Sequence, residues 1–290
     1  MEQLLNVQDL TKRYESFTLD RVSFSLERGY IMGFIGRNGA GKTTTLKSML
    51  NLVHKDGGTV RVDGLDFSEN ELACKQKIGF MLGGVDYYPR KRLSELADVT
   101  KRFYAGWDED AYRGYLARFA LRPEKRVNEL SAGMRVKFSL ALALSHHAEL
   151  LVLDEPTSGL DPVSRDDLIE LFQQLIEDGK RSILFSTHIT PDLEKCADYI
   201  TYIRDGRIVK SADRESFLGD YRLVAGTAEQ LTPALSARLI GSKRHAFGFT
   251  GLIHAADAAA CAALQLAPAD LDSIMVYCDK EGRSDETTAL

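Results

Sequence analysis

The sequence predicts an α/β fold in which helices cover a parallel β-sheet. An apolar run at residues 30–35 leads into a glycine-rich loop and a helical segment, and from residue 150 onward apolar strands alternate with helices. Such alternation indicates parallel strands, because each helix returns the chain to the start of the next strand. A chain of 290 residues with 44% hydrophobic content can bury the core that this architecture needs.

Further strands are predicted before and after the glycine-rich loop. Residues 4–10 and 22–26 are short alternating or apolar runs separated by polar turns, and residues 59–63 and 77–82 share this character. A period of two is typical of strands with one buried face. We therefore expect the chain to open with a β-rich subdomain.

The middle of the chain predicts an all-helical insert. Residues 93–104 place their apolar side chains on one helical face, and residues 110–120 predict a second helix. Ser131 is a favourable N-cap for a long helix that runs through residues 138–144 and is apolar nearly all round. A buried strand at residues 150–153 is predicted to follow the insert.

The last third of the chain predicts one more helix–strand pair and then a small separate domain. Residues 168–176 carry a helical apolar stripe, and residues 182–186 predict a strand. The composition shifts near residues 211–220, ahead of an Ala-rich segment at 255–263 and a charged end. We expect a C-terminal domain with a charged tail.

The glycine-rich loop, residues 36–43, matches every fixed position of a phosphate-binding P-loop and has the required strand before it and helix after it. The glycines let backbone N–H groups face a polyphosphate, the Lys42 side chain reaches the β- and γ-phosphates, and the Thr43 hydroxyl can bind Mg²⁺. The chain is therefore expected to bind a nucleoside triphosphate through Gly36, Arg37, Asn38, Gly39, Ala40, Gly41, Lys42, Thr43 and Thr44.

Two carboxylates end the strand at 150–153, where a parallel sheet would place them beside the P-loop. Asp154 is the natural partner of Mg²⁺, and Glu155 is placed to orient and deprotonate a water that attacks the γ-phosphate. Alone, such a pair is as often an acidic turn or helix cap. His188 also follows an apolar strand, where an isolated histidine would more often be structural.

Composition limits the classes of partner that the chain is expected to bind. A net charge of -5 argues against a broad nucleic-acid surface, although the Arg90-Lys91-Arg92 run could meet an anionic partner. Cys74, Cys196, Cys261 and Cys278 lack disulfide or metal-site spacing, so reduced, cytoplasmic thiols are expected. No apolar stretch approaches the ~20 residues that span a bilayer, and the N-terminus has no signal-peptide pattern, so another chain would have to hold this one at a membrane.

Taken in order along residues 1–210, these motifs resemble the nucleotide-binding subunits of ABC transporters. The P-loop resembles Walker A, Asp154 and Glu155 resemble Walker B and its following glutamate, and His188 resembles the switch histidine. Residues 130–134 are similar to the signature motif, residues 158–161 to the D-loop with its Asp161, and Tyr14 stands where the family has its adenine-stacking aromatic.

The resemblance implies a P-loop NTPase of ABC type. Its parallel-sheet core would be joined by an antiparallel β subdomain and a helical subdomain at about residues 85–148, all within residues 1–210, followed by a small α+β domain at 211–290. It implies ATP and Mg²⁺ as cofactors, and ATP hydrolysis in which Glu155 and His188 are catalytic. Ser131 and Gly133 would close over the ATP of a second ATPase subunit, either an identical copy or a paralogue.

Further, the resemblance implies a peripheral protein on the cytoplasmic face of the cell membrane that powers export through a separate multi-span permease and binds no nucleic acid. Residues 270–277 resemble the closing helix of such export subunits. Similar signature variants occur in peptide and antimicrobial exporters, which favours such a substrate. The helical insert would supply the groove that receives a permease helix.

The sequence departs from the family pattern at two motifs. Gly83 stands at the position of the Q-loop glutamine, so the usual contact that couples nucleotide to permease is in doubt. Flexibility at Gly83-Gly84 could let a partner segment press on the loop, or Asp86 could replace the glutamine through water. Ala132 and Met134 change the signature, while Ser131 and Gly133 are kept. We expect a working but altered composite site.

Two other classes of function share part of this set of motifs. A soluble ABC ATPase that acts as an assembly or binding factor has the same motifs, and an adjacent gene for a multi-span membrane protein would argue against it. A simple P-loop kinase or GTPase would leave the Leu-Ser-x-Gly element at residues 130–133 unexplained, and the sequence has no Asn-Lys-x-Asp run for guanine.

Overall fold

The computed structural model describes residues 3–82 and 88–279. The chain divides into two compact units, Met1–Ser211 and Ala212–Leu290. The described strands are β1 (Gln3–Arg13), β2 (Thr18–Glu27), β3 (Ile31–Ile35), β4 (Gly57–Val62), β5 (Leu65–Asp66), β6 (Ile78–Leu82), β7 (Leu150–Asp154), β8 (Ser182–Thr187), β9 (Tyr199–Arg204), β10 (Arg207–Asp213), β11 (Tyr221–Gly226), β12 (Gly241–His245), β13 (Gly248–His254) and β14 (Gln265–Pro268). The described α-helices are α1 (Lys42–Met49), α2 (Glu71–Gln76), α3 (Leu93–Thr100), α4 (Glu109–Arg118), α5 (Ala132–Leu144), α6 (Pro162–Ile176), α7 (Thr190–Cys196), α8 (Arg214–Gly219), α9 (Pro233–Ser236) and α10 (Leu271–Cys278).

The central sheet of the first unit has the strand order β10-β9-β3-β8-β7-β6. The pairs β3–β8, β3–β9, β7–β8 and β6–β7 are parallel. Every residue of β3, β7 and β8 is buried, which is typical of parallel strands that are covered on both faces. The predicted parallel core is confirmed, and its strands end one residue beyond the predicted limits, at Asp154 and Thr187.

An antiparallel sheet with the order β2-β1-β4-β5 forms the predicted β-rich start. In β2 the buried residues alternate with more exposed ones, as the period of two predicts. The Phe24 ring of this sheet lies 5.3 Å from the Phe34 ring of the central sheet, centroid to centroid. The two sheets therefore share one hydrophobic core, in which Leu5, Leu46 and Leu184 are fully buried.

The helical insert consists of α3, α4 and α5. The predicted helix at 93–104 is shorter than its apolar pattern suggests, because α3 ends at Thr100. Phe103 and Tyr104 lie beyond the helix, where Phe103 is exposed and Tyr104 stacks on His146. Ser131 caps α5 as predicted, since its hydroxyl accepts a hydrogen bond from the Met134 N–H at 3.3 Å.

The second unit contains an antiparallel sheet with the order β12-β13-β11-β14. Val224, Phe249, Ile253 and Cys261 form its small buried core. The Ala-rich segment forms a 3₁₀ helix, Ala255–Cys261, and the predicted closing helix is α10. The predicted charged tail falls almost entirely outside the described residues.

Gly79 sets how closely α5 packs on β6, which yields a stability prediction. A Cβ atom at Gly79 would lie 2.4 Å from the Cβ of Ala143, a buried side chain that cannot rotate away. We expect Gly79→Ala to lower the free energy of unfolding by ~1–3 kcal/mol because the helix must shift. Urea denaturation measures this change.

The matched control is Gly114→Ala, because a Cβ atom at Gly114, within α4, has no neighbour within 4 Å. This control is expected to raise the free energy of unfolding by roughly 0.5–1 kcal/mol, since alanine has the better helix propensity. A Gly79→Ala variant as stable as the parent would mean that α5 and β6 do not make the close approach described.

Candidate functional site

The P-loop connects β3 to α1 at the carboxyl edge of the central sheet. Gly41 caps α1 with φ 112°, a left-handed conformation that favours glycine, and no side chain caps the helix. A Cβ atom at Gly36 would lie 2.4 Å from the carbonyl oxygen of Ile203. The loop therefore needs glycine at these two positions, and it leaves the N–H groups of α1 available to an anion.

Lys42 lies inside this loop with its side chain folded back on the backbone. Its ammonium donates hydrogen bonds to the carbonyl oxygens of Gly36 at 2.7 Å and Arg37 at 3.3 Å. Its Nζ also lies 3.5 Å from Oε1 of Glu155, although the lysine is only 6% exposed. A buried ammonium thus stands beside the helix N-terminus with carbonyl partners that an oxyanion could replace.

Asp154 and Thr43 meet at the end of β7. The Thr43 hydroxyl donates to Oδ2 of Asp154 at 2.8 Å, and the Ser186 hydroxyl donates to Oδ1. Asp154 pairs with Ser186 across the parallel strands β7 and β8, so the sheet register fixes this contact. Ser186 was not among the predicted site residues; the signal that could have found it is a buried hydroxyl at the end of an apolar strand.

Glu155 follows β7 in a left-handed conformation with φ 51°. Its N–H donates to the carbonyl oxygen of Ser186 at 3.1 Å, which holds this turn beside β8. The His188 Nδ1 lies 2.8 Å from Oε2 of Glu155, and because a carboxylate only accepts, the imidazole is the donor. The carboxylate of Glu155 therefore lies between the Lys42 ammonium and the His188 imidazole.

The signature and D-loop residues occupy a different part of the first unit. Ser131 is exposed at the start of α5, and a Cβ atom at Gly133 would lie 3.6 Å from Cβ of Ser164 at the start of α6. Asp161 caps α6, and hydrogen bonds from Ser164 hold the pKa of its carboxyl below the ordinary value. Within residues 3–82 and 88–279, no hydrogen bond or ion pair joins these residues to the P-loop.

Two aromatic residues lie in the turn between β1 and β2. Tyr14 is 46% exposed, Nζ of Lys12 lies 5.5 Å from its ring centroid, and its N–H donates to the Phe17 carbonyl at 2.8 Å. The ring of Phe17 lies against the P-loop, since a Cβ atom at Gly41 would lie 2.9 Å from its Cζ. Phe17 was missed by the sequence prediction, because only its turn with Tyr14 brings it there.

An apolar groove opens between α3, β6 and α5, with a cavity volume of about 560 Å³. We call it the apolar groove. Phe80, Val99 and Phe103 line it and are 43%, 54% and 71% exposed, which is unusual for large apolar side chains that lie so close together. The Q-loop departure predicted at Gly83 and Asp86 falls outside the described residues.

His146 forms part of the groove floor. Its ring stacks on Tyr104 with the ring centroids 3.6 Å apart, and its Nδ1 lies 3.2 Å from the Gln76 carbonyl oxygen. Burial penalises the charged imidazole and lowers the pKa of His146 to about 4. The imidazole of His146 is therefore neutral at physiological pH.

The chain resembles known proteins in both sequence and fold. The ABC transporter family model matches residues 19–158. The bacitracin transport ATP-binding protein BcrA of Enterococcus faecalis is 31% identical over 216 residues, covering 73% of this chain and 70% of that protein. The Nod factor export ATP-binding protein I of Burkholderia orbicola is 34% identical over 210 residues, covering 70% and 68%.

The solved structure of an ATP binding subunit of an ABC transporter superposes with a TM-score of 0.66 at 27% identity, covering 73% of this chain and 91% of that one. The chain belongs to the ABC transporter family, as an ATP-binding subunit of exporter type. It is an ATPase with the fold of a P-loop NTPase. Among the described helices, none combines the length and apolar character that crossing a bilayer requires.

The buried imidazole of His146 makes stability depend on pH. Its folded-state pKa of about 4 lies below the ordinary 6.5, so between these values the unfolded chain binds a proton that the folded chain does not. The contribution of the neutral imidazole to the free energy of unfolding is complete above pH 6.5. It is lost as the pH falls toward 4, by up to ~3 kcal/mol. We expect His146→Phe to flatten the fall in unfolding free energy over that range, as measured by urea denaturation at several pH values.

Tyr104→Phe is the matched control for this prediction, because it keeps the stacked ring and leaves the titrating imidazole in place. It should show the same acid loss as the parent chain. An unchanged acid slope in His146→Phe would contradict the burial of a neutral imidazole.

Proposed function

We propose that this ATPase subunit dimerises around ATP and powers export through a separate permease at the cytoplasmic face of the cell membrane. The observation that carries the proposal is the position of Glu155, whose carboxylate lies 3.5 Å from Nζ of Lys42 and 2.8 Å from Nδ1 of His188. This arrangement places a base between a phosphate-binding cation and a hydrogen-bond donor.

ATP would bind with its phosphates at the N-terminus of α1. The Lys42 ammonium, now held by the Gly36 and Arg37 carbonyls, would exchange these partners for β- and γ-phosphate oxygens. Backbone N–H groups of the loop from Gly36 to Thr44 would surround the same phosphates. Tyr14 would stack on the adenine, and Phe17, which lies against Gly41, is placed to support the nucleoside from below.

The residues present fit a Mg²⁺ ion. The hydroxyl of Thr43 and the carboxylate of Asp154 lie within 2.8 Å of one another, and both are hard oxygen donors. Mg²⁺ sites of this kind use one or two protein oxygens and complete the shell with phosphates and water. When bound, the ion would neutralise charge on the β- and γ-phosphates.

Hydrolysis would follow from the placement of Glu155. Its carboxylate would orient a water molecule whose oxygen attacks the γ-phosphorus, while the bond from that phosphorus to the β-phosphate oxygen breaks to give ADP and phosphate. The water proton passes to the carboxylate. His188 donates to Glu155 and would hold it in this orientation and stabilise charge that develops on the γ-phosphate.

The second half of each site would come from another subunit, either an identical copy or a paralogue. Ser131 and Gly133 lie at the start of α5, where N–H groups and the helix dipole favour an anion, and Ser131 is exposed. They make no hydrogen bond or ion pair with the P-loop within the described part of this chain, which supports a role toward a partner. Asp161 and the rest of the D-loop would lie between the two ATP sites of the dimer.

A multi-span permease would be the membrane partner, with no role for nucleic acid. The apolar groove, lined by Phe80, Val99 and Phe103, offers a surface for a permease helix. The changed signature, with Ala132 and Met134, and the relatives named for bacitracin transport support a peptide or antimicrobial substrate.

The proposed base is tested by Glu155→Gln. The variant should still bind ATP and form an ATP-dependent dimer, because glutamine keeps the shape of the side chain and removes the base. Its hydrolysis rate should fall by ~100-fold or more. Phosphate release and size-exclusion chromatography with Mg²⁺ and ATP measure the two effects.

Glu170→Gln is the matched control, since it makes the same change on an exposed face of α6 and should leave both measurements as in the parent. Hydrolysis by Glu155→Gln at the parental rate would show that another group activates the water. A chain that stays monomeric with ATP in Glu155→Gln would contradict the shared site.

A further inference from the structure

Four cationic residues form a concave surface that ATP hydrolysis does not use. Arg90, Lys91, Arg92 and Arg126 line a cavity of about 740 Å³ together with Tyr88, Ser94 and Glu95. We call this surface the basic cleft. It lies in the first unit, ahead of and at the start of α3, and residues 88–92 are all exposed.

The backbone holds the cleft in place. Arg92 and Arg126 face each other in an antiparallel bridge. Around this bridge the Leu93 N–H donates to the Lys125 carbonyl at 3.0 Å, and the Val127 N–H donates to the Lys91 carbonyl at 3.1 Å. Main-chain pairing between two segments that are distant in the sequence therefore brings these cationic residues to one surface.

Among the described residues, the cleft has four cationic side chains and one lining carboxylate, Glu95. Glu95 already accepts hydrogen bonds from Nζ of Lys91 and the N–H of Arg92, each at 2.8 Å. In the described part of the chain, Arg90, Arg92 and Arg126 make no ion pair with a carboxylate. The like charges of Arg92 and Arg126 lie opposite one another across the bridge and destabilise it. An anionic partner would remove this repulsion.

The cleft and the apolar groove are both lined by residues of α3. Glu95 lines the cleft and Val99 lines the groove, and residues four apart lie on the same face of a helix. The separation along the helix axis is only ~6 Å. A ligand that fills both surfaces must therefore carry apolar side chains and negative charge within about one helical turn.

We propose that the basic cleft binds an acidic segment of the permease, which adjoins the helix received by the apolar groove. This inference rests on the proposed function. Guanidinium groups match carboxylates in a bidentate geometry, and complementary charge fixes the register in which two surfaces meet. A polypeptide supplies the required combination of apolar and acidic side chains at this spacing, whereas an isolated lipid headgroup supplies only the charge.

The test uses the full chain and three labelled helical peptides of ~18 residues. All three carry the same apolar face, and one end carries four glutamates, four glutamines or four lysines. Fluorescence anisotropy at low salt should show the glutamate peptide binding ~10-fold more tightly than the glutamine peptide, with the lysine peptide the weakest. Higher salt should reduce this preference, because surface charges are screened.

Arg90→Gln/Arg92→Gln should reduce the preference for glutamate over glutamine to less than ~2-fold, while the glutamine peptide binds as before. The matched control Arg113→Gln/Arg244→Gln removes the same charge from exposed positions outside the cleft and should keep the preference. The midpoint temperature of thermal unfolding of the cleft variant should not fall below that of the parent, since the variant removes a contact between like charges.

Equal binding of the glutamate and glutamine peptides, or no binding of either, would overturn the proposal. So would a preference that survives in Arg90→Gln/Arg92→Gln. Phosphatidylglycerol vesicles that bind through these arginines, with no preference among the peptides, would show a lipid ligand instead. ATP hydrolysis by the parent is measured in parallel, because its absence would contradict the proposed function, whereas lost peptide preference with intact hydrolysis contradicts only the cleft.

Discussion

The parallel register of three buried strands is the constraint on which the site depends. Ile35 pairs with Thr187 between β3 and β8, and Asp154 pairs with Ser186 between β7 and β8. Because all three strands end at one edge of the sheet, the P-loop, the two carboxylates and His188 meet there although they are distant in the sequence. A one-residue slip of β7 would turn Asp154 away from Thr43 and replace it with a neighbour that faces the other side.

The same register explains the conformation of the two charged residues at the centre of the site. Glu155 adopts a left-handed backbone at φ 51°, which costs ~1–3 kcal/mol in a non-glycine residue. Its N–H is bonded to the Ser186 carbonyl, so the sheet holds the residue in this conformation. Lys42 is 6% exposed, and its ammonium is satisfied by loop carbonyls and by Glu155. The Lys42 ammonium is thus satisfied within the site, with a triphosphate as the natural replacement for the loop carbonyls.

Local signals in the sequence were enough to predict β3, β6, β7 and β8 of the central sheet and the residues that follow β3, β7 and β8, whereas β9 and β10 were not predicted. The P-loop and the apolar strand before Asp154 are each a continuous stretch of sequence. Ser131 indicates the start of its helix because its hydroxyl is a favourable N-cap. The hydroxyl of Ser186 at the end of an apolar strand is visible in the sequence, but its contact with Asp154 depends on register. The position of Phe17 against the loop depends on its turn with Tyr14. The sequence also did not predict that α3 ends at Thr100, because Phe103 and Tyr104 keep the helical spacing of apolar residues but lie beyond the helix. The basic cleft needed the structure as well, because only backbone pairing places Arg126 opposite Arg92.

The central claim is that the charges gathered at this edge receive the phosphates of ATP. The most direct measurement is a crystal structure of the chain with Mg²⁺ and a non-hydrolysable ATP analogue. The account predicts that Nζ of Lys42 leaves the carbonyls of Gly36 and Arg37 for the β- and γ-phosphates, with Ser131 and Gly133 of a second subunit closing over the γ-phosphate. A nucleotide whose phosphates lie elsewhere, with Lys42 still bonded to the loop carbonyls, would contradict it.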